Sequence, residues 1–345
     1  MTSKSARSFR RIALAILGAM MPCAAGAQAW PQPVYREDFP DPFIIETRGR
    51  YLAYSTNTAV NVPMLQSSDL RHWSPLLEPS TSGKLRDALP QLGPWARAGF
   101  TWAPEVIRIG RRWRLYYTAR SRTSDRQCVG VASADRPDGP FRDRSPTPLV
   151  CQDDLGGSID ASPFRDRSGA LYLLYKNDGN SIGAATSIWS QRLTPDGLRL
   201  RGRAAALLTN RVDWQGGVIE APTMIRRGGA YQLFFSGGAF GWPADAATSP
   251  YAIGYATCRG PMGPCTPLDE PLLASSVSSG ASACLSGPGH QALFESRGRT
   301  FIAFHGWAVT DDCRRGAAKR LLYIARLRWV DGAPVIGPVP STARR

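Results

Sequence analysis

Counting back eight or nine positions from the turn glycines Gly49, Gly110, Gly169, Gly228 and Gly298 reaches Asp41, Trp102, Asp160, Glu220 and His290. Three carboxylates, an indole and an imidazole therefore recur at nearly one spacing. Carboxylates brought to one small mouth cannot all stay ionised at little cost, because mutual repulsion and burial raise at least one pKa. A carboxyl kept protonated can donate to a glycosidic oxygen while an ionised partner activates water. An indole beside them offers a flat face to a sugar ring. The same cluster could instead bind only a cation such as calcium, or serve a sugar-binding module without catalysis. A lone His290 is compatible with a satisfied core residue.

Whatever positions these residues must repeat five times. Each directly precedes a segment made of an apolar strand, a glycine turn and an aromatic-rich strand: Pro42–Ser55, Ala103–Thr118, Ala161–Lys176, Ala221–Ser236 and Gln291–His305. A further strand-like stretch and another turn come after each, as in IWSQRLTPDG from Ile188. Two hairpins per repeat make a four-stranded unit of about sixty residues, and such a period points to a propeller. The expectation is an all-β, five-bladed β-propeller with four-stranded blades around a central channel. A β-sandwich is the alternative, but it predicts no such period. In a propeller the first strand of each blade lines the channel, so the five side chains should converge at one axial mouth. Prolines near each of them (Pro42, Pro104, Pro163, Pro222 and Pro288) restrict the backbone and would hold the mouth rigid.

The N-terminal residues read differently. Lys4, Arg7, Arg10 and Arg11 precede an apolar run from Ile12 to Met21, and small residues follow up to Ala29. This is the layout of a secretory signal peptide over residues 1–29, and ten apolar residues are too few to cross a bilayer. Residues 30–345 are expected to form one catalytic propeller domain, secreted or periplasmic, monomeric and free of the membrane once the leader is removed. Six of the seven cysteines lie beyond the leader. An even number in an exported chain suggests disulfides, and their order suggests Cys128–Cys151, Cys258–Cys265 and Cys284–Cys313 among fifteen possible pairings. The formal charge is +15, or +11 without the four leader cations, and arginine scattered through loops carries most of it. No nucleic-acid signature accompanies this charge, so the expected partner is an oligo- or polysaccharide, which a basic surface would attract if acidic.

Five motifs carry a more specific signal: PDPF (Pro40–Phe43), WAPEV (Trp102–Val106), GSIDASPF (Gly157–Phe164), VIEAP (Val218–Pro222) and GPGH (Gly287–His290). In this order they resemble glycoside hydrolase family 43, the arabinanase, arabinofuranosidase and β-xylosidase family. The resemblance implies an inverting hydrolase. Asp41 would be the general base, Glu220 the general acid, and Asp160 the residue that orients the acid and keeps its pKa high. Trp102 would flank the sugar, with Phe43 and His305 as second-line pocket candidates. His290 would match the family's axial histidine, which would help hold a structural calcium or a water cluster, and no cofactor is required for the chemistry. Asp38 competes with Asp41, but the motif places the base directly before proline. No stretch reads as an appended β-sandwich, which favours L-arabinofuranosyl release or arabinan cleavage over β-D-xylosidase activity.

Overall fold

In the computed structural model the described residues are Met1, 32–79, 83–277 and 284–337. Apart from Met1, the expected leader lies outside them. Five antiparallel sheets follow one another along the chain. Blade 1 holds β1 (Phe43–Thr47), β2 (Arg50–Tyr54), β3 (Met64–Ser67) and β4 (Ser74–Pro75); blade 2 holds β5 (Ala96–Ile109), β6 (Arg112–Ser121) and β7 (Gln127–Ala134). Blade 3 holds β8 (Ser158–Arg165), β9 (Leu171–Asn177), β10 (Ser187–Leu193) and β11 (Leu200–Thr209). Blade 4 holds β12 (Ile219–Arg227), β13 (Ala230–Gly237), β14 (Ala252–Cys258) and β15 (Cys265–Pro267). Blade 5 holds β16 (Gly289–Ser296), β17 (Arg299–Val309), β18 (Arg315–Val330) and β19 (Ala333–Gly337). In blade 2 the fourth-strand position shrinks to a bridge between Ser133 and Arg142. The first strands β1, β5, β8, β12 and β16 touch in a closed ring. The protein is a five-bladed β-propeller.

The sequence explains the hairpins and the packing. β1 and β2 pair Thr47 with Arg50 across Arg48 and Gly49, both at positive φ, as a tight two-residue hairpin requires. Arg297 and Gly298 do the same between β16 and β17. The second strands are apolar on both faces because each lies between two neighbouring blades. In β2, Tyr51 and Ala53 pack toward Phe294, Phe301 and Leu322 of blade 5, while Leu52 and Tyr54 pack toward Trp95, Leu115 and Tyr117 of blade 2. Fully burying one such large side chain is worth roughly 1.5–3 kcal/mol. The three expected disulfides are formed, with Cα separations of 4.7 Å for Cys128–Cys151, 4.0 Å for Cys258–Cys265 and 5.3 Å for Cys284–Cys313.

The inner strands share one further device. Each turns a corner at a residue of positive φ: Asp41, Ala103, Asp160, Ala221 and His290. In blades 2 to 5 that residue sits in a β-bulge, where the register jumps between Trp102 and Glu105, Ile159 and Ser162, Glu220 and Thr223, and Gly289 and Ala292. A bulge re-aims side chains and leaves an amide outside the ladder. Here each freed amide crosses to the preceding blade. Ala103 donates to Thr56 Oγ1 (2.9 Å), Asp160 to Thr118 Oγ1 (3.2 Å), His290 to Ser236 Oγ (2.8 Å) and Asp41 to His305 Nδ1 (3.1 Å). Ala221 donates to Asp160 Oδ2 (2.9 Å). Five amides thus latch five blades around the channel.

The bulges also refine the spacing argument. Asp41, Asp160 and His290 occupy the corners, whereas Trp102 and Glu220 stand one residue before theirs, at Ala103 and Ala221. A count from glycine blurs this, since Gly110 directly follows β5 whereas Gly49 is the second turn residue after β1. Thr118→Val keeps the shape of a buried latch and removes its acceptor. It should destabilise the protein by about 1–3 kcal/mol, the usual cost of leaving a buried amide unpaired; equilibrium denaturant unfolding measures this, and an unchanged midpoint would remove the latch from the fold's supports.

Candidate active site

A cavity of about 430 Å³ opens on the ring, lined by Asp41, Trp102, Asp160, Glu220 and His290 among others. The five residues singled out by spacing therefore meet. Two second-line candidates do not line it. Phe43 packs on the apolar cluster between blades 1 and 2, because two residues beyond the corner the strand has turned its side chain away from the mouth. His305 is wholly buried beside the cavity, with its ring stacked on Tyr251 at 5.6 Å. Asp38 is exposed, and its carboxylate accepts the Arg320 amide at 2.8 Å.

Asp41 sits among cations and donors. Its Oδ1 lies 3.2 Å from an Arg320 guanidinium nitrogen and 3.3 Å from His290 Nδ1, and Thr56 donates its hydroxyl to Oδ2. Burial acts to raise its pKa, but Arg320, His290 and then His305 outweigh burial and hold it well below the ordinary carboxylate range. Asp41 is thus a fixed carboxylate, in the state needed to accept a proton from water.

Glu220 is held at both oxygens. Tyr251 donates its hydroxyl to Oε1 at 2.8 Å and the Lys176 ammonium donates to Oε2 at 3.0 Å. Burial pushes its pKa up, yet Lys176 and the bond from Tyr251 bring it below its usual value. Asp160 goes the other way, to about 6, because burial is reinforced by the charge of Glu220 against the opposing pull of His290 and Lys176. On Glu220 itself, Lys176 and Tyr251 outweigh what raises the pKa. Lys176 sits against Glu220, so of the two carboxyls Asp160 is the one biased toward its protonated form.

Sequence reasoning missed Lys176, Tyr251, Thr56, Arg320 and Phe240, all in the lining. Arg320 lies on β18, a third strand, 279 residues from the Asp41 it touches, and its guanidinium stands over the Phe240 ring at 5.3 Å. Lys176 did leave a signal: it ends the run LYLLYK at the place where the other repeats end in Ser, Thr or His.

The residues do not fit a protein cage for calcium around His290. His305 Nδ1 accepts the Asp41 amide, so its proton sits on Nε2, a buried atom with no partner among the described residues. Among the described residues the one cluster of three candidate ligands is Cys128, Cys151 and Asp153, and its cysteines are joined as a disulfide.

The model of glycosyl hydrolases family 43 matches residues 30–334. The chain belongs to that family. It is 27% identical over 237 residues to a β-D-galactofuranosidase of Aspergillus niger, covering 64% of this chain and 61% of the relative. It is 25% identical to an extracellular endo-α-(1→5)-L-arabinanase of Bacillus subtilis, covering 72% of this chain and 73% of that one. A crystal structure of a thermostable family-43 glycoside hydrolase superposes with a TM-score of 0.73 at 25% identity, over 92% of this chain and 98% of that one. The chain thus spans about three-fifths of the Aspergillus protein.

The His305 latch makes stability depend on pH. Burial lowers the His305 pKa from 6.5 to about 4. A base depressed in the folded state contributes stability that is whole above the unfolded pKa and is lost as pH falls through the folded one. His305→Gln keeps an acceptor for the Asp41 amide but cannot titrate. Unfolding free energies measured from pH 7 to pH 4 should fall less steeply in the variant; parallel curves would show that His305 does not titrate on unfolding.

Proposed function

We propose that this family 43 protein hydrolyses glycosidic bonds with inversion, using Asp41 as general base and Glu220 as general acid, on L-arabinofuranosyl residues of plant polysaccharide. The observation that carries this reading is the placement of the two carboxylates. Asp41 on blade 1 and Glu220 on blade 4 face one cavity from different sides of the ring, one bound to cations and the other to an ammonium and a phenol. A sugar between them would present its leaving oxygen to Glu220 and its opposite face to a water held by Asp41. Trp102, Phe240 and Arg320 supply aromatic faces and a forked donor for ring hydroxyls. A binding module would gain nothing from two coupled carboxyls whose pKa values are pushed apart, Asp160 up to about 6 and Glu220 down.

The furanosyl preference rests on the relatives, a galactofuranosidase and an arabinanase. Both names describe sugars that react as five-membered rings, so aryl β-D-galactofuranoside belongs beside aryl α-L-arabinofuranoside, aryl β-D-xyloside and linear arabinan in a first screen. The reading fails if none is cleaved. Export through residues 1–29 is part of the same proposal, supported by the extracellular arabinanase. Among the described residues no helix is long and apolar enough to cross a membrane.

Three variants separate the roles. Glu220→Gln should lose most activity on natural glycosides and much less on aryl glycosides of acidic phenols, which need little protonation. Asp41→Asn should lower kcat/KM on every substrate together, by about 10²–10⁴-fold. A leaving-group series decides the matter: equal losses for Glu220→Gln across the series, or a substrate spared by Asp41→Asn, would reverse the assignment.

Asp160→Asn should act on the pH profile. In the wild type the shared proton is lost as pH rises through the Asp160 pKa of about 6. Without Asp160 the proton must reside on Glu220, whose pKa Lys176 depresses, so the basic limb of kcat/KM should move to lower pH. A basic limb left in place would show that Asp160 does not carry the proton.

A further inference from the structure

The latch of blade 3 is the exception in the ring. Thr56, Thr118, Ser236 and His305 lie on or just after the second strand of blades 1, 2, 4 and 5 and accept the amide of the next blade. Lys176 stands at the same place in blade 3, opposite Ile159 as Thr118 is opposite Trp102 and Ser236 opposite Glu220. An ammonium cannot accept a hydrogen bond. The Ala221 amide turns instead to Asp160 Oδ2, and Lys176 is released from the architecture.

Its three protons go elsewhere. Nζ, wholly buried, donates to Asn180 Oδ1 at 2.6 Å and to Glu220 Oε2 at 3.0 Å, with Asp178 Oδ1 at 3.4 Å. Asp178 and Asn180 lie on the turn after β9 and line the cavity beside Glu220. We propose that Lys176 is a positioning residue that couples this turn to Glu220 and sets the pH range in which Glu220 can deliver its proton. The same substitution displaces the latch onto Asp160, so one exchange of an acceptor for a cation aligns both carboxyls. When Glu220 gives up its proton to the leaving oxygen, the new carboxylate forms 3.0 Å from an ammonium already in place.

Other charges also face this pair. Asp160 comes from β8, Asp178 from the turn after β9, Tyr251 from the approach to β14 and His290 from β16. None of these residues is replaced in a Lys176 variant, so the difference from wild type reports the loss of the ammonium from the coupled Glu220 and Asp160.

This inference rests on Glu220 being the acid. The experiment is the pH dependence of kcat/KM for Lys176→Met on an alkyl glycoside and on an aryl glycoside with an acidic phenol. Removing a cation at this distance should move the basic limb up by about 1–3 pH units on the alkyl substrate. The aryl substrate, which needs little protonation, should retain most of its wild-type rate. Asn180→Asp, at an exposed position, sets an anion against Nζ and should move the limb the same way without endangering the fold. A basic limb unmoved in a folded Lys176→Met protein, or in Asn180→Asp if the first variant does not fold, overturns the proposal. If Glu220→Gln lacks leaving-group dependence in the same assay, the acid assignment falls instead.

Discussion

An amide that has left its β-ladder must find an acceptor, and five such amides hold this ring together. The corner at Asp41, Ala103, Asp160, Ala221 and His290 turns each inner strand, shifts the register of those in blades 2 to 5, and lets each corner N–H reach the neighbouring blade. Leaving one of these unpaired would cost as much as a typical damaging mutation. The same corner turns the residues around it toward the axis. Architecture and chemistry therefore share one backbone feature: what closes the ring also aims Asp41, Glu220, Asp160, Trp102 and His290 into a single cavity.

The electrostatics follow from the latches. His305 serves as acceptor only while neutral, and burial keeps it so. Arg320 and His290 are the leading neighbours that fix Asp41 as a carboxylate. On the far side, Lys176 occupies a latch position without latching. Its charge draws Glu220 toward ionisation, while burial biases Asp160, an acceptor for Ala221, toward its protonated form. Two carboxyls with opposed tendencies, facing a third that stays ionised, form the division of labour an acid–base hydrolase needs.

Much of this was legible in the sequence. The five repeats show in alternating apolar strands punctuated by glycine turns, and the motifs around Asp41, Trp102, Asp160, Glu220 and His290 stand beside the turns that define them. The three disulfides followed from their order. What stayed hidden involves contacts without local periodicity. Arg320 reaches Asp41 from a third strand at the far end of the chain, and Tyr251 reaches Glu220 from a loop. Phe43 looked available because it adjoins the base, but beyond the positive-φ corner at Asp41 its side chain packs into the core. The one-residue offset of Trp102 and Glu220 was invisible because turn glycines fall at either turn position.

The central claim is that Asp41 and Glu220 act from opposite faces of the bound sugar, with a water between sugar and base. Its most direct test is proton NMR of a hydrolysis run at high enzyme concentration, recording the first-formed sugar before mutarotation. The account predicts the anomer opposite to that of the substrate, equilibrating later. Release of the same anomer would mean a covalent intermediate formed by a carboxylate close to the anomeric carbon, and would contradict the assignment of Asp41 as a base.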